Sequence, residues 1–286
     1  TSKDLMLNRI PGVENTEMIL NIVICYKNEN EVLSYAKKLS LLEHSDEIAL
    51  AVVCNKVGKN GIDYLAEELP KTGIKNYIFL PDENLGYLNG MVYGFRCLAE
   101  LNVVSDWYIF SNTDIDFPQS DVITRFLGSE EFKNSDYWLV GPSIFVPNKK
   151  IHSNPYKLDR PSKLSYARTN FGLLFPRLFD FLYHDLKRTK ENPHFERSAK
   201  AYAIHGSFML LRKELLQELT NRPAWELLYD EEPYLGEIAR ENKKHVFYDS
   251  SMLVHHLEGA CTGKTDLRWK YKIMRNSNKR ILREFY

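Results

Sequence analysis

Apolar residues recur along the first half of the chain in short continuous runs, separated by stretches with a helical period. Residues 19–26, Ile-Leu-Asn-Ile-Val-Ile-Cys-Tyr, form a strand-length run with one polar interruption. Such a run is the pattern of a strand covered on both faces. Residues 48–54, 75–80 and 107–110 repeat it. Between them, residues 30–42 place Val32, Leu33, Ala36, Leu39 and Leu42 on one side, which predicts a helix. Residues 62–69 predict a second helix, stopped by Pro70, and residues 89–101 a third. Alternating buried strands and helices predict an α/β fold with a mostly parallel central sheet and helices on both faces. In such sheets ligands sit beyond the carboxyl ends of the strands. The residues just after each apolar run therefore become the candidates for chemistry.

The second half is less regular. Strands are expected within 137–145, over 203–211 with a break at Gly206, and over 245–248. Helices are expected over 171–190, from 213 onward, over 233–242 and over 269–285, the last of them basic. Residues 147–168 are polar and proline-rich and read as a long loop. No composition shift marks a linker, so one catalytic domain over 18–262 is expected, with halves of about 18–117 and 118–262 sharing a cleft. Residues 1–17 read as a leader or linker, and 263–286 as a basic C-terminal helix.

The chain has 286 residues, 44% hydrophobic and 27% charged, which excludes disordered, collagen-like and mucin-like classes. Lys and Arg number 38 against 38 acids, so no global field attracts nucleic acid, and none is expected as a partner. No apolar run approaches the ~20 residues that span a bilayer. Residues 1–17 lack the basic region and apolar core of a signal peptide. Cys25, Cys54, Cys97 and Cys261 form no CxxC pair, which points to a reducing, cytoplasmic setting without a zinc site.

Four segments carry candidate chemistry. Ser111-Asn112-Thr113-Asp114-Ile115-Asp116-Phe117 follows a buried strand, and Asp114 and Asp116 there are candidate ligands for Mn²⁺ or Mg²⁺. An Asp-rich turn explains the same residues. Asn84-Leu85-Gly86-Tyr87-Leu88-Asn89-Gly90 opens a helix after a strand and suits a phosphate. Close helix packing is its alternative, and its spacing is not the dinucleotide fingerprint. Tyr229-Asp230-Glu231-Glu232 opens another helix. Adjacent carboxylates raise one another's pKa toward that of a general base, although acids at a helix N-terminus are also common. Val254-His255-His256 places two histidines on opposite faces of a strand, so at most one joins a metal.

Taken in order, NxDxD, HGSFMLLR (205–212), YDEEPYL and VHHLEG resemble the family 2 glycosyltransferases, especially the rhamnosyl- and galactofuranosyltransferase-like branch of bacterial surface-glycan enzymes. The likeness runs from about residue 19 to about 282. Residues 22–28 look like the family's first strand, Glu83-Asn84-Leu85-Gly86 like its NxG turn, and Tyr271 to Asn276 like its YxxxRN helix.

The resemblance implies a GT-A fold and an inverting, metal-dependent transfer of a sugar from a nucleotide-diphospho-sugar to a glycan hydroxyl. It places the metal on Asp114 and His256; Asp116, a candidate from the motif alone, lies one step beyond the matched position. It places catalysis on Glu232 with Glu231, Glu232 being the base. Donor contacts fall on Cys25, Tyr26, Asn55, Asn84, Gly86, Asn89, Asn112, Thr113, Asp114 and Arg275, and acceptor contacts on His205, Gly206 and Ser207. The sequence departs from the family in Cys54-Asn55 for Asp-Asn, in Asn112 for the first Asp of DxD, and in Glu-Glu for Glu-Asp.

The implied partners are a UDP- or dTDP-linked sugar and a glycan acceptor. A homodimer and peripheral contact with the inner face of a membrane are compatible with the chain. The rivals are a sugar nucleotidyltransferase, which calls for a Gly-rich basic loop where Lys27-Asn28-Glu29-Asn30 stands, and a non-catalytic sugar-binding protein on the same fold.

Overall fold

The computed structural model describes residues 18–175, 196–258 and 266–286. The segment 1–17, Cys261 and most of the helix expected over 171–190 lie outside them. Four strands, β1 (Ile19–Cys25), β2 (Ile48–Cys54), β3 (Lys75–Phe79) and β4 (Trp107–Ser111), run parallel in the order β3-β2-β1-β4. Helices α1 (Glu29–Leu39), α2 (Lys59–Glu68) and α3 (Leu88–Glu100) connect them.

Alternation along each strand explains why the runs are continuously apolar. Ile19, Val23, Leu50, Val52, Trp107 and Ile109 enter one core cluster with Val32, Tyr35 and Leu39 of α1. Leu20, Ile22, Ala51, Val53, Tyr108 and Phe110 enter the other with Met91, Phe95 and Leu98 of α3. Burial on both faces leaves no position for a polar side chain without a partner. Asn21 meets that condition, accepting from the Tyr35 hydroxyl at 2.8 Å and donating to the Ile109 carbonyl at 3.1 Å.

After β4 come β5 (Ile115–Asp116), α4 (Val122–Gly128), α5 (Glu130–Lys133), β6 (Tyr137–Val146), β7 (Ile151–His152) and α6 (Lys163–Gly172). Then follow β8 (Ala199–Ala201), β9 (Phe208–Arg212), α7 (Lys213–Thr220), α8 (Glu231–Glu241), β10 (His245–His256) and α9 (Leu267–Phe285). The sheet continues from β4 through β9, β6 and β10 to β5. β9 is inserted antiparallel between β4 and β6, while β10 runs parallel to β6.

Several boundaries differ from the sequence pattern. α2 starts at Lys59, ahead of the expected 62, and ends at Glu68, just before Pro70; a 3₁₀ turn over Leu69–Thr72 follows, with Pro70 in its opening positions where its missing N–H costs nothing. The expected loop over 147–168 contains β7 and the start of α6, and residues 171–172 close α6. The strand expected from 203 begins at Phe208: Ala203 forms an isolated bridge with Lys157, and a turn at 206–207 leads into the strand. β10 extends eight residues past the expected end, since the polar stretch at 249–251 is a bulge rather than a terminus. The Asp249 carboxylate accepts the Ser251 N–H there at 2.8 Å.

Candidate active site

The carboxyl ends of β1 and β4, the amino end of β9, the far end of β10 and the amino end of α8 meet at one place. β4 ends at Ser111, paired with Phe208 of β9, and the ladder gains one more bond, from the Asn112 N–H to the Ser207 carbonyl at 2.9 Å. A turn at residues 113–114 then separates β4 from β5. The Leu257 N–H donates to the Asp114 carbonyl at 2.9 Å, which fastens the end of β10 to this turn.

These contacts bring the His256 Nε2 to 3.3 Å from the Asp114 Oδ1 and 3.4 Å from the Asn112 Nδ2. The His256 Nδ1 is buried without a hydrogen-bond partner. His255 turns the other way, with its ring 5.4 Å from that of Phe145. Asp116 does not join Asp114. It pairs across the ladder with His255, and its carboxylate lies 3.4 Å from the Lys38 Nζ of α1. A two-residue spacing puts side chains on one face only within a regular strand, and the turn at 113–114 breaks that rule.

An aspartate and a histidine that face each other fit a divalent cation that draws its other ligands from phosphate and water. Among the described residues no three His, Cys, Asp or Glu side chains converge, so a metal here depends on a ligand to complete its shell.

The acidic pair stands on the far side of residues 205–207. Glu231 and Glu232 open α8 after Tyr229 and Asp230, both at positive φ, +74° and +60°. Two consecutive left-handed residues without glycine are uncommon and mark a backbone held by its surroundings. The holding groups come from α9. The Ser277 hydroxyl donates to the Tyr229 carbonyl at 3.3 Å, and the Asn278 amide donates to the Asp230 carboxylate at 2.9 Å.

Burial raises all three acids. Asp230 is pushed up to about 7 by burial and the charge of Glu232, against opposing pulls from Lys157 and Asn278. Glu231 lies well above the usual carboxylate range, through burial and the neighbouring Glu232, and its Oε2 has no hydrogen-bond partner. Glu232 is also raised by burial, but its own backbone N–H, the Gly206 N–H at 3.2 Å and the charge of Lys157 favour its ionised form. Of the adjacent pair, Glu231 is raised the further, while the Gly206 N–H and the charge of Lys157 oppose the rise at Glu232.

Residues 205–207 touch both groups. The His205 ring lies 5.7 Å from the His256 ring, while the next residue donates its N–H to Glu232. Burial pushes the His205 imidazole down to about 3, so it is neutral; its Nδ1 lies 3.0 Å from the Ser207 Oγ. A Cβ built on Gly206 would come within 3.0 Å of the Glu232 Oε1, so a glycine lets the carboxylate approach.

The donor candidates divide in two. Asn112, Thr113, Asp114 and Tyr26 gather at the ends of β1 and β4, where the Asn28 amide donates to the Thr113 Oγ1 at 2.8 Å and Asn28 also accepts the Tyr26 N–H at 2.7 Å. The others serve the scaffold. The Asn55 amide donates to the Gly86 carbonyl at 2.8 Å, and the Asn84 Oδ1 accepts the Gly86 N–H at 3.0 Å. Asn89 holds the backbone of Trp225 at both ends, accepting its N–H at 2.7 Å and donating to its carbonyl at 2.9 Å. Gly90 and Gly94 pack α3 against Ile24, Ile22 and Val53, the close-packing reading of that segment. Cys25 is buried beside its register partner Cys54 and offers no side chain to a ligand. Arg275 lies half-buried on α9 with its Nε unpartnered.

Three residues of the site carried no separate signal. The Tyr87 hydroxyl donates to the Gly206 carbonyl at 2.7 Å, tying the NLG turn to the acid-binding glycine. Asn154 accepts the His205 N–H at 2.6 Å. Lys157 acts on Asp230 and Glu232 through its charge. Only Tyr87 lay within a noted motif.

No protein-family model and no curated protein matches the sequence. Solved structures do match in shape. The mannosyltransferase PcManGT from Pyrobaculum calidifontis, in complex with GDP-Man and Mn²⁺, aligns with a TM-score of 0.51 and 11% identity over 93% of this chain and 70% of its own. Residues 1–349 of S. aureus TarS align with a TM-score of 0.55 and 11% identity over 84% of this chain and 60% of theirs. At that identity the likeness is one of fold, and the fold is the α/β GT-A type that the sequence implies.

Proposed function

We propose that the chain is an inverting family 2 glycosyltransferase of the rhamnosyl- and galactofuranosyltransferase-like branch. Its donor is a nucleotide-diphospho-sugar and its acceptor a glycan hydroxyl. The observation that carries this reading is the spacing of two chemically distinct groups by one tripeptide: the Asp114 and His256 pair touches His205, and Glu232 accepts from Gly206. The GDP-Man and Mn²⁺ bound by the Pyrobaculum neighbour support a nucleotide-sugar donor and a divalent metal.

In this reading Tyr26, Asn112 and Thr113 face the nucleotide in the half over 18–117, and residues 205–207 face the acceptor in the half over 118–262. Asp114 and His256 would hold Mn²⁺ or Mg²⁺, which when bound stabilises charge on the departing diphosphate. Glu232, ionised and aimed by the Gly206 N–H, takes the proton of the acceptor hydroxyl as its oxygen attacks the anomeric carbon. One displacement from the opposite face inverts that carbon and needs no covalent sugar on the enzyme. Glu231, the more strongly raised of the two, favours its neutral form and leaves the charge to its neighbour.

A donor screen by thermal shift tests the reading, with UDP-, dTDP- and GDP-sugars, each with Mn²⁺, Mg²⁺ or chelator. A metal-dependent rise in melting temperature with one nucleotide class is expected, since a ligand of the folded state stabilises by mass action. No rise with any donor, with either metal, refutes it.

A further inference from the structure

The chain is balanced in charge, yet α9 concentrates seven Lys and Arg against one acid, Glu284, which Arg280 already holds at 2.6 Å. The inward stripe of α9, Tyr271, Asn278, Ile281 and Phe285, is buried. The outward stripe, Arg268, Lys272, Asn276 and Arg283, is exposed, with Trp269 exposed beside it.

α6 lies against α9. The Tyr166 and Tyr286 rings are 5.4 Å apart, and the Lys163 Nζ donates to the Tyr286 carbonyl at 3.1 Å. A helix on a protein surface ordinarily turns its polar side outward. α6 turns apolar residues outward as well: it buries Tyr166 and leaves Leu164 58% and Phe171 66% exposed. The stripe continues past the helix in Leu174 and Phe175, 46% and 52% exposed, with the Phe171 and Phe175 rings 5.7 Å apart. Lys163 and Arg168 are exposed alongside.

Apolar side chains turned outward and framed by cations are the composition of an interfacial surface. We propose that α6 and α9 form a peripheral docking surface for a bilayer rich in anionic lipid headgroups. Leu164, Phe171 and Phe175 enter the acyl boundary, while Lys163, Arg168 and the outward cations of α9 meet the headgroup phosphates. Charge decides between a membrane and a second copy of the chain as occupant. Two copies joined at this face would set one basic helix near another, and like charges oppose that pairing. No described helix is long and apolar enough to cross a membrane, so the contact proposed is with the surface.

The test is flotation of the full chain with large vesicles of phosphatidylcholine, alone or with about a third phosphatidylglycerol. It needs no sugar donor, so its outcome is independent of the proposed reaction. Binding is expected to the anionic vesicles only, with release by high salt. Lys272→Gln should weaken it about fivefold, the equivalent of one basic residue at an anionic surface. Phe171→Ser with Phe175→Ser should weaken it about tenfold or more while leaving the circular dichroism melt unchanged, because both side chains are exposed. Lack of binding to anionic vesicles overturns the proposal, as does full binding by the double serine variant. A dimer in light scattering that the double variant disperses, without vesicle binding, assigns the face to a second copy and overturns it as well.

Discussion

Gly86 is the position where the fold and the acid loop depend on the same atom. Its φ is +76°, and a Cβ built there would lie 2.2 Å from the Leu227 carbonyl oxygen, 2.7 Å from its Cα and 2.8 Å from its carbonyl carbon. These are backbone atoms, so no rotamer change relieves the overlap. Restoring ordinary contact moves the 225–227 segment by about 1 Å. That movement strains the Tyr87 N–H bond to the Leu227 carbonyl at 2.9 Å and both bonds of Asn89 to Trp225. Each is worth about 1 kcal/mol. With about 1 kcal/mol for the left-handed backbone, Gly86→Ala should cost about 3–4 kcal/mol.

Two other glycines separate these costs. Gly73 has φ +82° with nothing within 4 Å of a built Cβ, so Gly73→Ala should cost only the backbone part, about 1 kcal/mol. Gly58 has φ −72° and the same open space, so Gly58→Ala should stay within about 0.5 kcal/mol of the parent. Urea denaturation of the three variants measures the series. A Gly86→Ala loss equal to that of Gly73→Ala would falsify the close approach to Leu227, and with it the account of how the NLG turn fixes the 225–229 segment.

Three further outcomes follow from the site. Glu232→Gln should bind donor normally and lose transfer by about a hundredfold or more in kcat, with Glu231→Gln milder; the reverse order in a transfer assay moves the base to Glu231. Asp114→Ala and His256→Ala should each abolish Mn²⁺-dependent binding of a nucleoside diphosphate in calorimetry, whereas Asp116→Ala, which loses only its Lys38 pair, should not; equal losses at all three contradict the geometry. The Asp230 pKa rises from 3.8 to about 7 on folding, so the folded state holds the proton more tightly and stability falls as pH rises between those values. Asp230→Asn should therefore match the parent near pH 4 and exceed it at pH 8 by about 2 kcal/mol, the full shift discounted for partial exposure; a pH-independent difference in chemical denaturation rejects this.

The parallel half of the sheet was legible because β1, β2 and β4 are buried on both faces and α1 and α3 each have an apolar side. The second half resisted because its signals are mixed. Asp249, Ser250 and Ser251 look like a strand end, yet they form a bulge within β10, and only the register with β6 shows that the chain resumes. The meeting of Asp114 with His256 agrees with the residue types and their order, whereas Asp116 lies apart, since a turn of two residues cancels the alternation that spacing assumes. The amides of Asn55 and Asn89 read as ligand groups because a sequence cannot reveal that a backbone already occupies them. Tyr87 was hidden for the opposite reason. A tyrosine between two glycine turns has no pattern of its own, and its partner Gly206 lies 119 residues away.

The two sides of α9 place different demands on one helix, and this bears on how the acid loop keeps its strained backbone. Ser277 and Asn278 on the inner side hold Tyr229 and Asp230, and their hold depends on the helix staying seated. At the C-terminal end Arg160 donates to the Phe285 carbonyl at 2.8 Å, its guanidinium stacks 3.7 Å from the centre of the Tyr286 ring, and the Phe285 ring lies 6.0 Å from that of Tyr234. The outward cations add nothing to that seating in solution, because side chains spaced along one exposed stripe with like charge repel one another. Anionic headgroups would remove the repulsion, and a better seated α9 would hold Asp230 more firmly. Vesicles should then slow backbone amide exchange at residues 229–232 as well as along α9. Protection confined to α6 and the outer stripe, with 229–232 unchanged, would show that the surface and the acid loop are energetically separate.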